Sequence, residues 1–133
     1  MQIRSALLGM VACSCCSPTL FAQDATKVDS KHYSVVSENA QVRILRVHYG
    51  AHEKSTMHSH PATVAVFLSD GKGTFTFPDG KTQDFAVKTG DAMYNAATTH
   101  LPENTGDQPL DVIVIELKGK SAKAHKPAAA AAK

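Results

Sequence analysis

The 133-residue chain is 43% hydrophobic and 20% charged, the balance of an ordinary globular protein with the length of one domain rather than two. Its formal charge of +2 conceals a divided distribution: between Gln23 and Leu117 eight Lys and Arg face twelve Asp and Glu, whereas the five lysines from Lys118 onward stand in a stretch without acids. A body with that surplus of negative charge repels phosphate backbones, which excludes nucleic acid as the partner of the folded part.

Residues 1–22, "MQIRSALLGMVACSCCSPTLFA", carry a basic start at Arg4, an apolar stretch, and small residues before Gln23. This is the pattern of a secretory signal peptide, with cleavage expected after Ala22 and delivery to the periplasm or the medium. The apolar run is too short, and too interrupted by Ser, Cys and Pro, to span a bilayer. A lipoprotein signal anchored at Cys13 is the alternative, and Met10 fits it poorly. Cys13, Cys15 and Cys16 all fall in the leader, so the mature chain has no cysteine for a disulfide or a thiolate site. Any metal must be held by histidine and oxygen.

From Gln23 to Lys31 the sequence is polar and reads as a loose lead-in. Short β-type runs and turn signals then alternate. "HYSVVSE" and "VRILRVHY" are separated by "NAQ"; "TVAVFL" is followed by a turn at "SDGKG"; "TFTF" and "KTQDFAV" flank "PDG", a hairpin signal because Asp-Gly accepts positive φ. "KTGD" turns the chain into "AMYNAA", and "LDVIVIEL" is a strand buried on at least one face. No run has helical periodicity, so residues 23–118 are expected to form an all-β sandwich or barrel. Residues 119–133 form a basic, Ala/Lys-rich tail interrupted by Pro127 and expected to be disordered.

Seven histidines are present: His32, His48, His52, His58, His60, His100 and His125. A lone strand histidine is usually structural, but His58 and His60 stand at i and i+2, a spacing that projects both imidazoles from one face of a strand. His100 lies about forty residues on, and in a closed β structure a strand at that distance can return beside the first. Three histidines would then form a facial set with open positions for water or substrate.

At this point the residues resemble a family. Gly50, "HSH" at His58 to His60, and Gly71 are similar to the first motif of the cupin superfamily; Gly90, Asp91, His100, Asn104 and Gly106 are similar to the second. The resemblance runs from about Val42 to Lys118 and implies a cupin-type jelly-roll β-barrel holding a divalent metal on His58, His60 and His100. Two departures stand out. Cupins usually carry a glutamate after the second histidine, with three or four residues between, where this chain has Val64 and Ala65, and Val64 is read as its replacement. The proline and glycine usual before the second-motif histidine are replaced by Asn95 and Ala97.

Without that carboxylate the ion keeps its full +2 charge, which favours an anionic, chelating ligand such as an enolate or α-oxo acid. Some cupins with three-histidine iron sites are dioxygenases, so the resemblance implies Fe(II), with Zn, Mn or Ni as alternatives. The enzyme reading is a non-haem metal-dependent dioxygenase acting on a small chelating anion. Against it stand a non-catalytic module that binds metal or a small ligand, and a cupin that has lost its metal. Residues expected around the site are Glu103, as a replacement carboxylate or a loop cap; His52, as a base or an exposed loop residue; Arg46 and His48, which share one strand face and would meet a substrate carboxylate only if that face lines the barrel; and Tyr94, closing the pocket or packing in its wall. Phe75 and Phe77 are assigned to an apolar face. The partner is a small molecule, and an edge strand open to a second copy allows a homodimer.

Overall fold

The computed structural model describes residues 23–119; the leader at 1–22 and the tail from 120 onward lie outside the described residues. Nine strands follow a single turn of helix: α1 (Ala25–Val28), β1 (Tyr33–Glu38), β2 (Val42–Tyr49), β3 (His58–His60), β4 (Thr63–Phe67), β5 (Gly71–Thr76), β6 (Thr82–Val87), β7 (Ala92–Asn95), β8 (Thr98–Asn104) and β9 (Leu110–Leu117). They form two sheets, a five-stranded one in the order β1-β2-β9-β4-β7 and a four-stranded one in the order β3-β8-β5-β6. All pairings between named strands are antiparallel. The all-β jelly roll expected from the sequence is the fold observed, with its sheets facing each other rather than closing into one continuous barrel.

Strand alternation sets the interior. Leu45, Val47 and Tyr49 of β2 are buried while Arg46 and His48 between them are exposed. On β4, Thr63, Ala65 and Phe67 are buried in the same period-two pattern, as inward and outward positions must alternate on a pleated sheet. Leu110 and Val112 of β9 and Val87 of β6 complete the core with Tyr33 and Ala25. Two strands of the four-stranded sheet pack so closely that only glycine fits at position 73: a Cβ there would stand 2.3 Å from the Glu103 carbonyl oxygen and 2.4 Å from Phe85 Cζ. Gly80 and Gly90, in the turns after β5 and β6, adopt φ of 82° and 91°, the left-handed region that glycine enters without steric cost.

The lead-in is ordered, contrary to the reading of Gln23–Lys31 as loose. Asp24 caps α1 by accepting from the Thr26 amide at 2.9 Å, the usual role of an aspartate before a first helical turn. Ala25 is fully buried, Asp29 and His32 are nearly so, and the Ser59 amide donates to the Gln23 carbonyl at 2.8 Å. The polar composition misled because the segment is held by ion pairs and backbone bonds rather than by apolar burial. Among these, Asp24 accepts from Arg43 Nη1 at 2.7 Å.

Two outcomes follow from this packing. Gly73→Ala forces the β5–β6–β8 contacts apart and is expected to cost about 1–3 kcal/mol, as overpacked substitutions do, read as a lowered thermal midpoint. The hydrogen bond from Arg43 holds the Asp24 carboxyl at about 2, below its ordinary 3.8. A carboxyl with a depressed folded pKa stabilises fully above its unfolded value and loses that contribution as pH falls towards the folded one. Acid denaturation should therefore carry an Asp24 component between about pH 4 and pH 2, and Asp24→Asn should remove that part of the pH slope.

Candidate metal centre

Register brings the histidines together. β3 and β8 pair so that His58 lies opposite His100, Ser59 opposite Thr99 and His60 opposite Thr98. His58 and His60 share the inward face of β3 by their i, i+2 spacing, and His100 meets them from the neighbouring strand. Ring centroids are 4.7 Å apart for His58–His60, 5.2 Å for His58–His100 and 5.6 Å for His60–His100. One nitrogen of each lies within 4.8 Å of the others. Nitrogens on one face of an ion lie about 3.0–3.4 Å apart, given metal–nitrogen distances of about 2.1 Å, so the widest pair would draw in by at most about 1.8 Å.

Each of the first two ligands is set in one tautomer from behind. Glu116, 2% exposed, accepts from His60 Nδ1 at 2.7 Å. The Thr56 carbonyl accepts from His58 Nδ1 at 2.7 Å, and Ser55 Oγ stands 3.2 Å from the same nitrogen. With the proton on Nδ1 in both rings, the Nε2 lone pairs are left for an ion. His58 Nε2 is buried and has no hydrogen-bond partner among the described residues. An orphaned buried acceptor carries a desolvation penalty that a bound cation removes, so the donor set fits a divalent metal. Burial, and then the neighbouring imidazoles, lower the pKa of His58 to about 4 and of His100 to about 3. Both are therefore neutral and competent as ligands near pH 7. Among the described residues His100 has no such bond, and it stacks on Phe75 with centroids 4.9 Å apart and planes 9° apart.

In front of His60 and His100 opens a cavity of about 420 Å³ between the sheets, walled by Val47, Ala65, Phe67, Phe75, Phe85 and Val112 among others. No Lys, Arg, Asp or Glu lines it among the described residues. Tyr33 and Tyr49 contribute hydroxyls, but these bond to each other at 2.7 Å. The Tyr33 ring also packs edge-on against His58, at a centroid distance of 4.8 Å.

Residues 45–116 match the sequence profile of the family described as Cupin domain, more than half of the chain. The chain belongs to the cupin family. Solved structures share its fold. A cupin domain from Bordetella pertussis Tohama I is 19% identical with a TM-score of 0.61, the match covering 65% of this chain and 92% of that one. A double-stranded β-helix protein from Klebsiella pneumoniae is 20% identical with a TM-score of 0.54, covering 68% and 78%. An RmlC-like cupin family protein from Methanocaldococcus jannaschii is 16% identical with a TM-score of 0.52, covering 64% and 77%. No sequence among the curated proteins matches the chain.

The cupin framework shows where the usual glutamate is missing. Ala65, not Val64, is the inward position: Ala65 lines the cavity, while Val64 alternates to the other face of β4. The surrounding residues expected from the sequence are dispersed. Arg46 and His48 stand on the outer face of β2, with Arg46 Nη2 at 2.7 Å and His48 Nδ1 at 3.1 Å from Asp111. His52 is in an exposed loop at 2.8 Å from Asp107. Glu103 falls on the opposite face of β8 from His100 and lies 3.6 Å from Lys54. Tyr94 borders the cavity and is 55% exposed. Glu116, Asp29, Ser55 and Tyr33, which the sequence reading did not single out, surround the histidines instead. Only Glu116 left a trace in the sequence, as a lone acid closing the apolar run of β9.

A divalent ion that binds the folded state alone stabilises it by about 2.7 kcal/mol at a hundredfold excess over its dissociation constant. Titration with Zn(II) should therefore raise the thermal midpoint of the wild-type protein. His60→Ala should abolish that rise, a comparison that calorimetry settles directly.

Proposed function

We propose that the protein is an exported non-haem metal-dependent cupin, of dioxygenase type, that uses Fe(II) on His58, His60 and His100 to act on a small chelating anion. The observation that carries this reading is the meeting of three imidazoles with no carboxylate among them, two of which, His60 and His100, line an uncharged cavity. A bound divalent ion supplies Lewis acidity there, polarising an oxygen ligand and offsetting negative charge. The chain's own contribution is to bind and to exclude. His58 and His60 are held with Nε2 inward, His100 is stacked on Phe75, and the walls formed by Phe67, Phe85 and Val112 keep water from the bound ligand's apolar body. Since no cationic side chain lines the cavity, attraction for an anion falls to the ion alone.

A binding role without turnover has its own support. Apart from the histidines and the tyrosine hydroxyls, no titratable side chain reaches the cavity, so a proton donor or acceptor for chemistry is scarce. Protein purified without chelator or affinity histidines should carry about one equivalent of iron by elemental analysis. Oxygen uptake should follow when chelating diketones or oxo acids are added, and His60→Ala should lose both. An iron-loaded protein silent across that panel would leave the binding role in its place. Export is read from the leader, and the intact mass of the secreted product should begin at Gln23.

A further inference from the structure

Two hydrogen-bonded paths leave the back of the histidine cluster and end on one short segment. The first runs from His60 Nδ1 to Glu116 Oε1 at 2.7 Å, from Glu116 Oε2 to Arg43 Nε at 2.5 Å, and from Arg43 Nη1 to Asp24 Oδ2 at 2.7 Å. The second runs from His58 Nδ1 to Ser55 Oγ at 3.2 Å and from Ser55 Oγ, as donor, to Asp29 Oδ2 at 2.5 Å. Asp24 and Asp29 bracket α1, ahead of the residues that match the cupin profile.

Fold stability is a poor account of these paths. Asp29 is 7% exposed and Glu116 2%, and burying carboxylates costs several kcal/mol each before their partners repay it. Well-packed apolar residues in such places are commonly as stable or more so. Glu116 accepts from His60 Nδ1 and from Arg43 Nε, and Asp29 accepts from Ser55 Oγ. Glu116 and Asp24 against Arg43 leave one surplus negative charge behind His60, while Asp29 faces His32, whose other ring nitrogen faces Glu53.

Building on the three-histidine reading, we propose that Glu116 and Asp29 are positioning residues of the metal centre. They stand outside the ligand set: Glu116 fixes Nε2 of His60 inward and supplies negative charge that Ala65 does not, and Asp29 holds the Ser55 hydroxyl beside the His58 Nδ1 that donates to the Thr56 carbonyl. The segment Asp24–Asp29 is thereby a working part of the site rather than a lead-in to it. Glu116 acts directly on His60 and Asp29 through Ser55, so the larger effect belongs to Glu116.

The test uses the full chain, Co(II) as the probe and two readouts. Nitrogen NMR of the metal-free protein reports the imidazole tautomers, and chelator competition gives the Co(II) dissociation constant. In the wild type, His58 and His60 should each show the single tautomer protonated at Nδ1. Glu116→Ala should scramble His60 and weaken Co(II) about 10–100-fold, the usual effect of losing a ligand's outer partner. Glu116→Gln, whose amide oxygen still accepts from Nδ1, should restore the tautomer yet leave Co(II) weakened, separating orientation from charge; it also carries the test if Glu116→Ala does not fold. Asp29→Asn should weaken Co(II) in the same direction, with the metal-free melting curve showing a folded protein. Mixed tautomers in the wild type, or Co(II) affinity unchanged in Glu116→Gln and Asp29→Asn, would overturn the proposal while leaving the histidine site intact. Failure of the wild type to bind Co(II) at all, with both tautomers as expected, would instead overturn the three-histidine reading and this proposal with it.

Discussion

Everything at the centre of this molecule hangs on the pairing of β3 with β8. β3 has only three residues, two of them histidines, and its bonding to β8 decides which face they present. Because side chains alternate with a period of two, a slip of one residue would turn both imidazoles outward and leave Ser59 facing the cavity. The short strand is therefore guarded on both flanks. Ser59 Oγ and Thr99 Oγ1 bond at 2.7 Å across the pair, and a parallel bridge joins Ser59 to Asp24. A three-residue strand has few ladder bonds of its own, so these side contacts matter more here than in an eight-residue strand such as β2 or β9.

The histidine cluster sits on a boundary between two media. On one side are hydrocarbon walls and the stacked rings of Phe75, Phe85 and His100. On the other are two polar chains, Glu116–Arg43–Asp24 and Ser55–Asp29. Low dielectric on the first side strengthens whatever field the second produces. Desolvation on that first side dominates for His58 and His100 and keeps both neutral.

Much of the fold was legible in the sequence. "VRILRVHY" and "LDVIVIEL" coincide with β2 and β9, and the Asp-Gly turn joins β5 and β6 as expected. Legibility came from period-two burial, which is local. β8 was harder, because Pro102 and Glu103 break the strand pattern. Pro102 is accommodated beyond the end of β3, where the chain meets the Ser55 turn through the Ser55 amide. The histidine triad was readable as a spacing completed by a family pattern, whereas the groups behind it were not. Glu116 is 56 residues from His60 and Asp29 is 26 from Ser55; no periodicity links them, and only the tertiary fold brings them into contact. Arg46 and His48 show the converse case, two polar residues on the outward face of a strand that buries Leu45, Val47 and Tyr49 on the other.

The uncharged lining of the cavity has an effect of its own. A wall that offers no countercharge sorts molecules by subtraction: any visitor carrying a second charge, away from the atoms that reach the histidines, must strip that charge of water and meets at most neutral groups such as Gln83 and Asn95. Such a chamber disfavours ligands whose second charge would lie among its apolar walls, without a single residue devoted to rejecting them. Selectivity of this kind is robust to drift, since exchanging one apolar side chain for another reshapes the room but leaves its rule of admission unchanged.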